Sequence, residues 1–176
     1  MKTLYSMLIA IVALFVFVPL GVAEPVPTWD QQINSPHRFT VLTKFGGAAV
    51  FDRETGLVWE KSPTEPPTGP TTKFTWSNAQ VHCNDLTTGG RLGWRLPTVQ
   101  ELASLVDPTV SPGPKLPSGH PFFNVQSYNY WSATTSADDT SLAWVVRFFA
   151  GDTAHGYKSD NNFVWCVRGG QGVDSQ

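Results

Sequence analysis

Residues 94–102 read Trp-Arg-Leu-Pro-Thr-Val-Gln-Glu-Leu, and this stretch contains the clearest helix start in the sequence. Thr98 and Glu101 have the spacing of a capping box, in which each side chain accepts a hydrogen bond from the backbone N–H of the other residue. Pro97 stands just before, where a proline interrupts no helical hydrogen bond. We therefore predict a helix that begins at Thr98 and ends at Asp107-Pro108.

An earlier helix is predicted on the N-terminal side of this stretch. It begins at Thr75 or just ahead of Ser77, because both residues fit helix-capping positions. It ends before Gly89-Gly90, which is a typical stop signal. Three- and four-residue steps predict its buried face, formed by Ala79 or Val81, by Cys83 and by Leu86.

Short runs with the alternation of β-strands lie on both sides of the two helices. They cover residues 38–43, 48–52 and 57–60 before the helices, and residues 130–135, 142–149, 153–159 and 163–168 after them. Residues 62–72 and 107–127 are rich in Pro, Gly and Ser and are predicted to be loops. This order of elements predicts an α+β fold with a small antiparallel sheet.

The N-terminus has the features of an export signal. An apolar run, Met7 to Val18, follows Lys2 and leads to Gly21-Val22-Ala23, which predicts a signal peptide over residues 1–23. The run is shorter than the roughly 20 residues of a membrane-spanning helix. An uncleaved N-terminal anchor is the alternative. Residues 24–37 contain three prolines and no apolar period, and we predict an extended leader there.

The charge balance excludes some partners and favours others. The net charge is -2, and charged residues make up 15% of the chain. Removal of the signal peptide with Lys2 makes the chain one unit more negative. No overall field therefore attracts nucleic acid. We expect a secreted or periplasmic protein without a membrane span, whose partner is a glycan or an envelope or extracellular protein.

Cys83 and Cys166 are the two cysteines of the chain. An even number of cysteines in an exported protein favours a disulfide. The alternatives are weak, because no C-x-x-C motif is present. His82 is a poor general base for Cys83, since adjacent residues on a helix point in different directions.

Four blocks of the sequence carry a resemblance to a known family. They are residues 55–59 (Thr-Gly-Leu-Val-Trp), residues 94–98 together with Glu101-Leu102, residues 130–134 (Tyr-Trp-Ser-Ala-Thr) and residues 166–170 (Cys-Val-Arg-Gly-Gly). In this order they resemble the family of the C-terminal domain of the Legionella collagen-like adhesin, over about residues 38–170, which leaves residues 171–176 as a tail.

The resemblance implies a C-type-lectin-like fold related to the formylglycine-generating-enzyme branch. In that fold two helices flank a small twisted sheet and a long loop region. It also implies a Cys83–Cys166 bridge between the first helix and the last strand.

The tryptophans and the charges within these blocks have structural explanations. Large aromatic side chains dominate core burial, which predicts that the tryptophans lie in the core. These are Trp59, Trp94, Trp131 and Trp165. We expect Arg95 to be partly buried and to pair with a carboxylate, such as that of Glu101, or with a helix end, rather than to bind a ligand.

The sequence contains few of the groups that an enzyme needs. The four histidines, at positions 37, 82, 120 and 155, lack metal-ligand spacing, and neither a G-x-S-x-G elbow nor a phosphate-binding loop occurs. The related formylglycine-generating enzymes use cysteine pairs with copper, and a disulfide leaves no thiol for that role. We therefore predict no catalytic residues, no enzymatic activity and no cofactor.

Calcium is considered because sugar-binding C-type lectins use it. Their Glu-Pro-Asn, Gln-Pro-Asp and Trp-Asn-Asp triplets are absent from this sequence. Asp138, Asp139 and Asp160 offer hard oxygen donors and are weak calcium candidates. The alternative is that they form polar turns between strands, where Asp is favoured.

The strands near the C-terminus supply the candidate binding surface. Alternation divides residues 142–149 into two sets, and we expect the set with Val145, Arg147 and Phe149 to face outward rather than the set with Trp144. His155 and Tyr157 share one face of the next run. The predicted ligand-binding residues are Arg147, Phe149, His155, Tyr157, Lys158, Asn161 and Asn162. An ordinary solvated face is the alternative interpretation.

These observations predict an exported, non-catalytic binding module that is similar to an adhesin domain. By the family's example, a sulfated polysaccharide or another surface glycan is the first ligand to test, although the negative charge opposes a polyanion. The alternatives are a protein-interaction or envelope-structural module and, third, an enzyme of the formylglycine-generating branch.

Overall fold

The computed structural model describes residues 35–63 and 72–170, and they form an α+β fold. The helices are α1 (Ser35–Arg38), α2 (Trp76–Asn84) and α3 (Val99–Ala103). The strands are β1 (Phe39–Val41), β2 (Ala49–Asp52), β3 (Leu57–Glu60), β4 (Asn129–Thr135), β5 (Leu142–Arg147), β6 (Asp152–Tyr157) and β7 (Val167–Arg168). The predicted signal peptide, most of the leader, residues 64–71 of a predicted loop and the C-terminal tail lie outside the described residues.

The strands form two antiparallel sheets, whereas the sequence predicts one. One sheet has the order β1-β2-β3-β7 and the other has the order β4-β5-β6. The predicted strand over residues 163–168 explains the difference, because its two ends pair with strands of different sheets. Phe163 makes an isolated bridge to Tyr130 of β4, and Val167 pairs with Trp59 of β3. This segment therefore connects the two sheets.

The core consists of two apolar clusters, and β4 and β5 lie between them. Tyr130 and Val146 are cross-strand partners that belong to one cluster, and the adjacent partners Trp131 and Val145 belong to the other. All four tryptophans expected in the core are buried, which confirms their structural role. The remaining central side chains of the first cluster include Trp59, Leu102, Phe148 and Trp165, and those of the second include Trp94, Ala79 and Cys83.

Helix α3 begins as the sequence predicts. Thr98 Oγ1 accepts a hydrogen bond from Glu101 N at 3.2 Å, and Glu101 Oε2 accepts one from Thr98 N at 2.8 Å. The capping box is therefore complete. The expected pairing of Arg95 with Glu101 is also present, with N–O distances of 2.7 and 2.6 Å.

Helix α2 is shorter than the sequence predicts. Thr75 occupies the N-cap position without a side-chain hydrogen bond, and the helix ends at Asn84, well before Gly89-Gly90. Ala79 is buried while Val81 is 57% exposed, so Ala79 supplies the buried face. Ala79 and Cys83 are one helical turn apart, which directs both toward the second cluster.

A disulfide joins α2 to the segment that precedes β7. The Cα atoms of Cys83 and Cys166 are 5.5 Å apart, and both side chains are fully buried. The bridge closes a loop of 83 residues, for which the chain-entropy account gives a stabilisation of about 4.5 kcal/mol at most. Because both sulfur atoms are enclosed, a reductant reaches this bond only after the core opens.

Helix α3 ends at Ala103, four residues before the predicted end at Asp107, and other boundaries differ from the sequence prediction by smaller amounts. Residues 35–37, predicted to be extended, form with Arg38 a single helical turn. The long loop over residues 107–127 contains no helix or strand, as predicted. Among the described residues, no helix has the length and apolarity needed to cross a membrane.

Candidate binding site on the outer hairpin

The hairpin formed by β5 and β6 carries most of the predicted binding residues, and β6 lies at the edge of its sheet. Its register pairs Trp144 with His155 and Arg147 with Asp152. Because side chains alternate along a strand, these two pairs point to opposite faces of the sheet. The predicted binding residues are therefore divided between two surfaces.

One surface, which we call the aromatic face, displays aromatic and hydroxyl groups. It is formed by Leu142, Trp144, Thr153, His155 and Tyr157. The rings of Trp144 and His155 lie 4.0 Å apart between centroids, and Tyr157 is 60% exposed. Such side chains combine a flat apolar surface with hydrogen-bonding groups. They therefore suit a ligand that offers both apolar faces and hydrogen-bonding groups.

The opposite face of the hairpin packs on the core. Val145 is 1% exposed and contacts the cluster that contains Trp131. Gly156 allows the ring of Trp131 to approach closely, because a Cβ at this position would lie 3.0 Å from the ring. Packing against Trp131 therefore fixes which face of β6 points to solvent.

The burial of Val145 contradicts the predicted outward set of Val145, Arg147 and Phe149. Val145 is buried because β5 lies between two core clusters. Val145 packs against one cluster, and Val146, on the opposite face of the strand, packs against the other. Phe149 lies beyond the end of β5 and is 47% exposed. Arg147 and Phe149 therefore do not join the aromatic face.

Arg147 is already engaged with a carboxylate. Its Nε donates to Asp152 Oδ1 at 2.7 Å, and its Nη2 donates to Asp152 Oδ2. The hydrogen bonds from Arg147 lower the pKa of Asp152 below its usual range. A ligand would have to compete with this ion pair for the guanidinium group.

Lys158 and the two asparagines also occupy different environments. Lys158 Nζ lies 4.0 Å from the centroid of the Trp76 ring and donates to Thr135 Oγ1 at 3.0 Å. Asn162 is only 6% exposed, and its backbone exchanges two hydrogen bonds with Phe74. The prediction that Asn162 lies on the binding surface is therefore wrong, because its backbone pairing draws it inward. Asn161 is exposed in the preceding turn.

Trp144 is a residue of this surface that the sequence prediction assigns to the inward set with Val146 and Phe148. Those two residues are buried, but Trp144, whose cross-strand partner is His155 of the edge strand, is partly exposed. The signal that identifies it is the register of the hairpin, which places Trp144 directly opposite His155. Alternation within one strand does not contain that information.

The calcium candidates form turns. Asp139 Oδ1 accepts hydrogen bonds from the N and Oγ atoms of Ser141 at 2.8 and 2.7 Å, and these bonds lower the pKa of Asp139. Asp138 is exposed beside it. Asp160 N donates to Tyr157 O at 2.8 Å in the turn after β6. Within residues 35–63 and 72–170, no three or more His, Cys, Asp or Glu side chains gather as metal ligands.

The carboxylate of Glu101 is held by several hydrogen bonds, and its role is structural. Burial opposes its ionisation, but hydrogen bonds from Arg95 and Thr98 outweigh that effect and hold the pKa of Glu101 below its usual range. Arg95 Nη2 also donates to Gly169 O at 2.8 Å. Two of the four sequence blocks, the one that contains Arg95 and Glu101 and the one that contains Gly169, therefore meet at one ion pair.

Comparison with protein families gives a match. Residues 48–168 match the family described as the Lcl C-terminal domain. The search of curated proteins finds no match. The matched range includes the disulfide, the Arg95–Glu101 pair and the complete outer hairpin. This chain belongs to the Lcl C-terminal domain family.

Proposed function

We propose that this chain is an exported, non-catalytic binding module that recognises a glycan through the aromatic face of the outer hairpin. The observation that carries the proposal is the alignment of Trp144, His155 and Tyr157 on one exposed face of an edge hairpin. Apolar C–H faces of a sugar ring pack on aromatic side chains, and the imidazole and phenol groups bind its hydroxyls. Family membership in an adhesin-associated domain supports a binding role.

The charge around the hairpin favours an uncharged glycan over a sulfated one. The guanidinium of Arg147 is paired with Asp152 and lies on the opposite face from His155. The ammonium of Lys158 is held against Trp76. With a net charge of -2 for the whole chain, a polyanion gains little from long-range attraction.

The proposal includes a C-type-lectin-like fold and export from the cytoplasm. Two features support the fold: β3 and β7, from opposite ends of the domain, pair in one sheet, and the disulfide ties α2 to the segment before β7. The disulfide and the predicted signal peptide support export, because such bonds persist in oxidising compartments. Both cysteines are engaged in the bridge, which supports a role other than thiol-dependent catalysis.

A glycan array probed with the purified chain tests this function. We expect binding to neutral glycans that His155→Ala reduces by about tenfold, as the loss of one well-placed aromatic contact does. Lys44→Gln serves as a control because Lys44 is exposed on a different element. An empty array together with specific capture of an envelope protein would instead support the protein-interaction alternative.

A further inference from the structure

A second set of residues, which we call the Lys61–Lys73 surface, combines aromatic rings and lysines that are not part of the aromatic face. It is formed by Lys61, Lys73, Phe123 and Tyr128. The ammonium of Lys73 lies 3.7 Å from the centroid of the Tyr128 ring, and that of Lys61 lies 5.5 Å from the Phe123 ring. Phe123 and Tyr128 are 44% and 46% exposed.

The two lysines have no carboxylate partner among the described residues. Their charges are held by the faces of aromatic rings, which attract cations without neutralising them. The described segments that build this surface, residues 61–63, 72–75 and 120–129, contain no Asp or Glu. These described segments therefore contribute two positive side-chain charges and no negative one.

Hydrogen bonds between distant parts of the chain organise this surface in advance. Phe123 N donates to Lys61 O at 3.1 Å, and Asn124 Nδ2 donates to Ser62 Oγ at 3.1 Å. Lys73 lies beside Phe74, whose backbone N donates to Asn162 O at 2.9 Å. Binding of a partner therefore costs little conformational entropy in the backbone that carries the two lysines.

We propose that the Lys61–Lys73 surface binds an acidic peptide segment of a protein partner. An ammonium group has three N–H donors, and an Asp or Glu carboxylate accepts such donors in charge-assisted hydrogen bonds. An ammonium group lies over one face of each ring, which favours carboxylate side chains over a stacked sugar. Tyr and Phe side chains are also enriched in protein interfaces.

Fluorescence anisotropy with a labelled oligoglutamate peptide tests this proposal, with an oligoglutamine peptide of equal length as the uncharged control. We expect the purified chain to bind only the glutamate peptide, and to bind it more weakly as the salt concentration rises. Lys61→Gln and Lys73→Gln should each weaken binding by about fivefold, and the double variant by roughly twentyfold. Lys44→Gln removes the same charge elsewhere and should leave binding unchanged.

Other outcomes overturn the proposal. Absence of peptide binding, or equal weakening by Lys44→Gln, would show that no specific acidic-peptide site exists here. Binding of oligogalacturonate instead of the peptide, with the same dependence on Lys61 and Lys73, would assign the surface to an acidic glycan. Near-ultraviolet circular dichroism of every variant establishes that these differences do not come from misfolding.

Discussion

The guanidinium of Arg95 and the carboxylate of Glu101 form a two-point ion pair, with N–O distances of 2.7 and 2.6 Å. The same carboxylate accepts a hydrogen bond from Thr98 N at the start of α3, and the same guanidinium donates to Gly169 O after β7. One pair of side chains therefore holds the beginning of α3 against the C-terminal end of the domain. Its function is structural, which leaves the outer hairpin as the candidate for ligand binding.

The coupling between Arg95 and Glu101 is the first prediction. Arg95→Met keeps the aliphatic stem, and Glu101→Gln keeps an acceptor for the capping box, so the two changes remove mainly the ion pair. In a double-mutant cycle measured by urea unfolding, we expect a coupling free energy of about 1–2 kcal/mol. Additive single effects would show that the two side chains do not support each other.

The second prediction concerns acid. Since the folded protein holds the pKa of Glu101 below its usual range, the ionised carboxylate contributes stability above the unfolded pKa of about 4.3. This contribution is lost as the pH falls through the lower folded pKa. The stability difference between the chain and Glu101→Gln should therefore shrink in unfolding experiments below about pH 4. A constant difference from neutral to acid pH would contradict this assignment.

The third prediction concerns the glycine that packs on this ion pair. Gly170 has φ +90°, and a Cβ there would lie 2.9 Å from Leu57 Cδ2 and 3.1 Å from Arg95 Nη2. Gly170→Ala should therefore lower the free energy of unfolding by about 2 kcal/mol, through backbone strain and collision together.

A matched control separates the two causes. Gly90 also has a positive φ, of +68°, but a Cβ at Gly90 would meet nothing within 4 Å. Gly90→Ala therefore carries only the strain of the backbone, about 1 kcal/mol. Equal losses of stability in the two variants would show that the contact with Leu57 and Arg95 contributes nothing.

Local signals in the sequence predict much of this fold. The capping box at Thr98 and Glu101 marks the start of α3, and both partners lie within one helical turn. Gly46-Gly47 is likewise a local signal, and it marks the turn between β1 and β2. The family resemblance predicts the Cys83–Cys166 bridge, and residue type predicts the burial of the tryptophans.

Long-range pairing is the part that the sequence does not predict. Phe163 bridges to Tyr130 of β4, whereas Val167 pairs with Trp59 of β3, so the two ends of one predicted strand belong to different sheets. Val145 and Val146 are both buried because core packs on both faces of β5 at that point. The sequence prediction assumes one solvated face for β5, and it therefore groups Arg147 with His155, which lies on the opposite face.

The central claim is that a ligand binds the aromatic face, and isothermal titration calorimetry with the best array glycan tests it most directly. Tyr157→Ala is compared with Phe149→Ala, since both remove an exposed aromatic ring and only Tyr157 belongs to that face. We predict that Tyr157→Ala weakens binding by about tenfold and that Phe149→Ala leaves the Kd unchanged. An unchanged Kd for Tyr157→Ala, or equal weakening by both variants, would contradict the assignment.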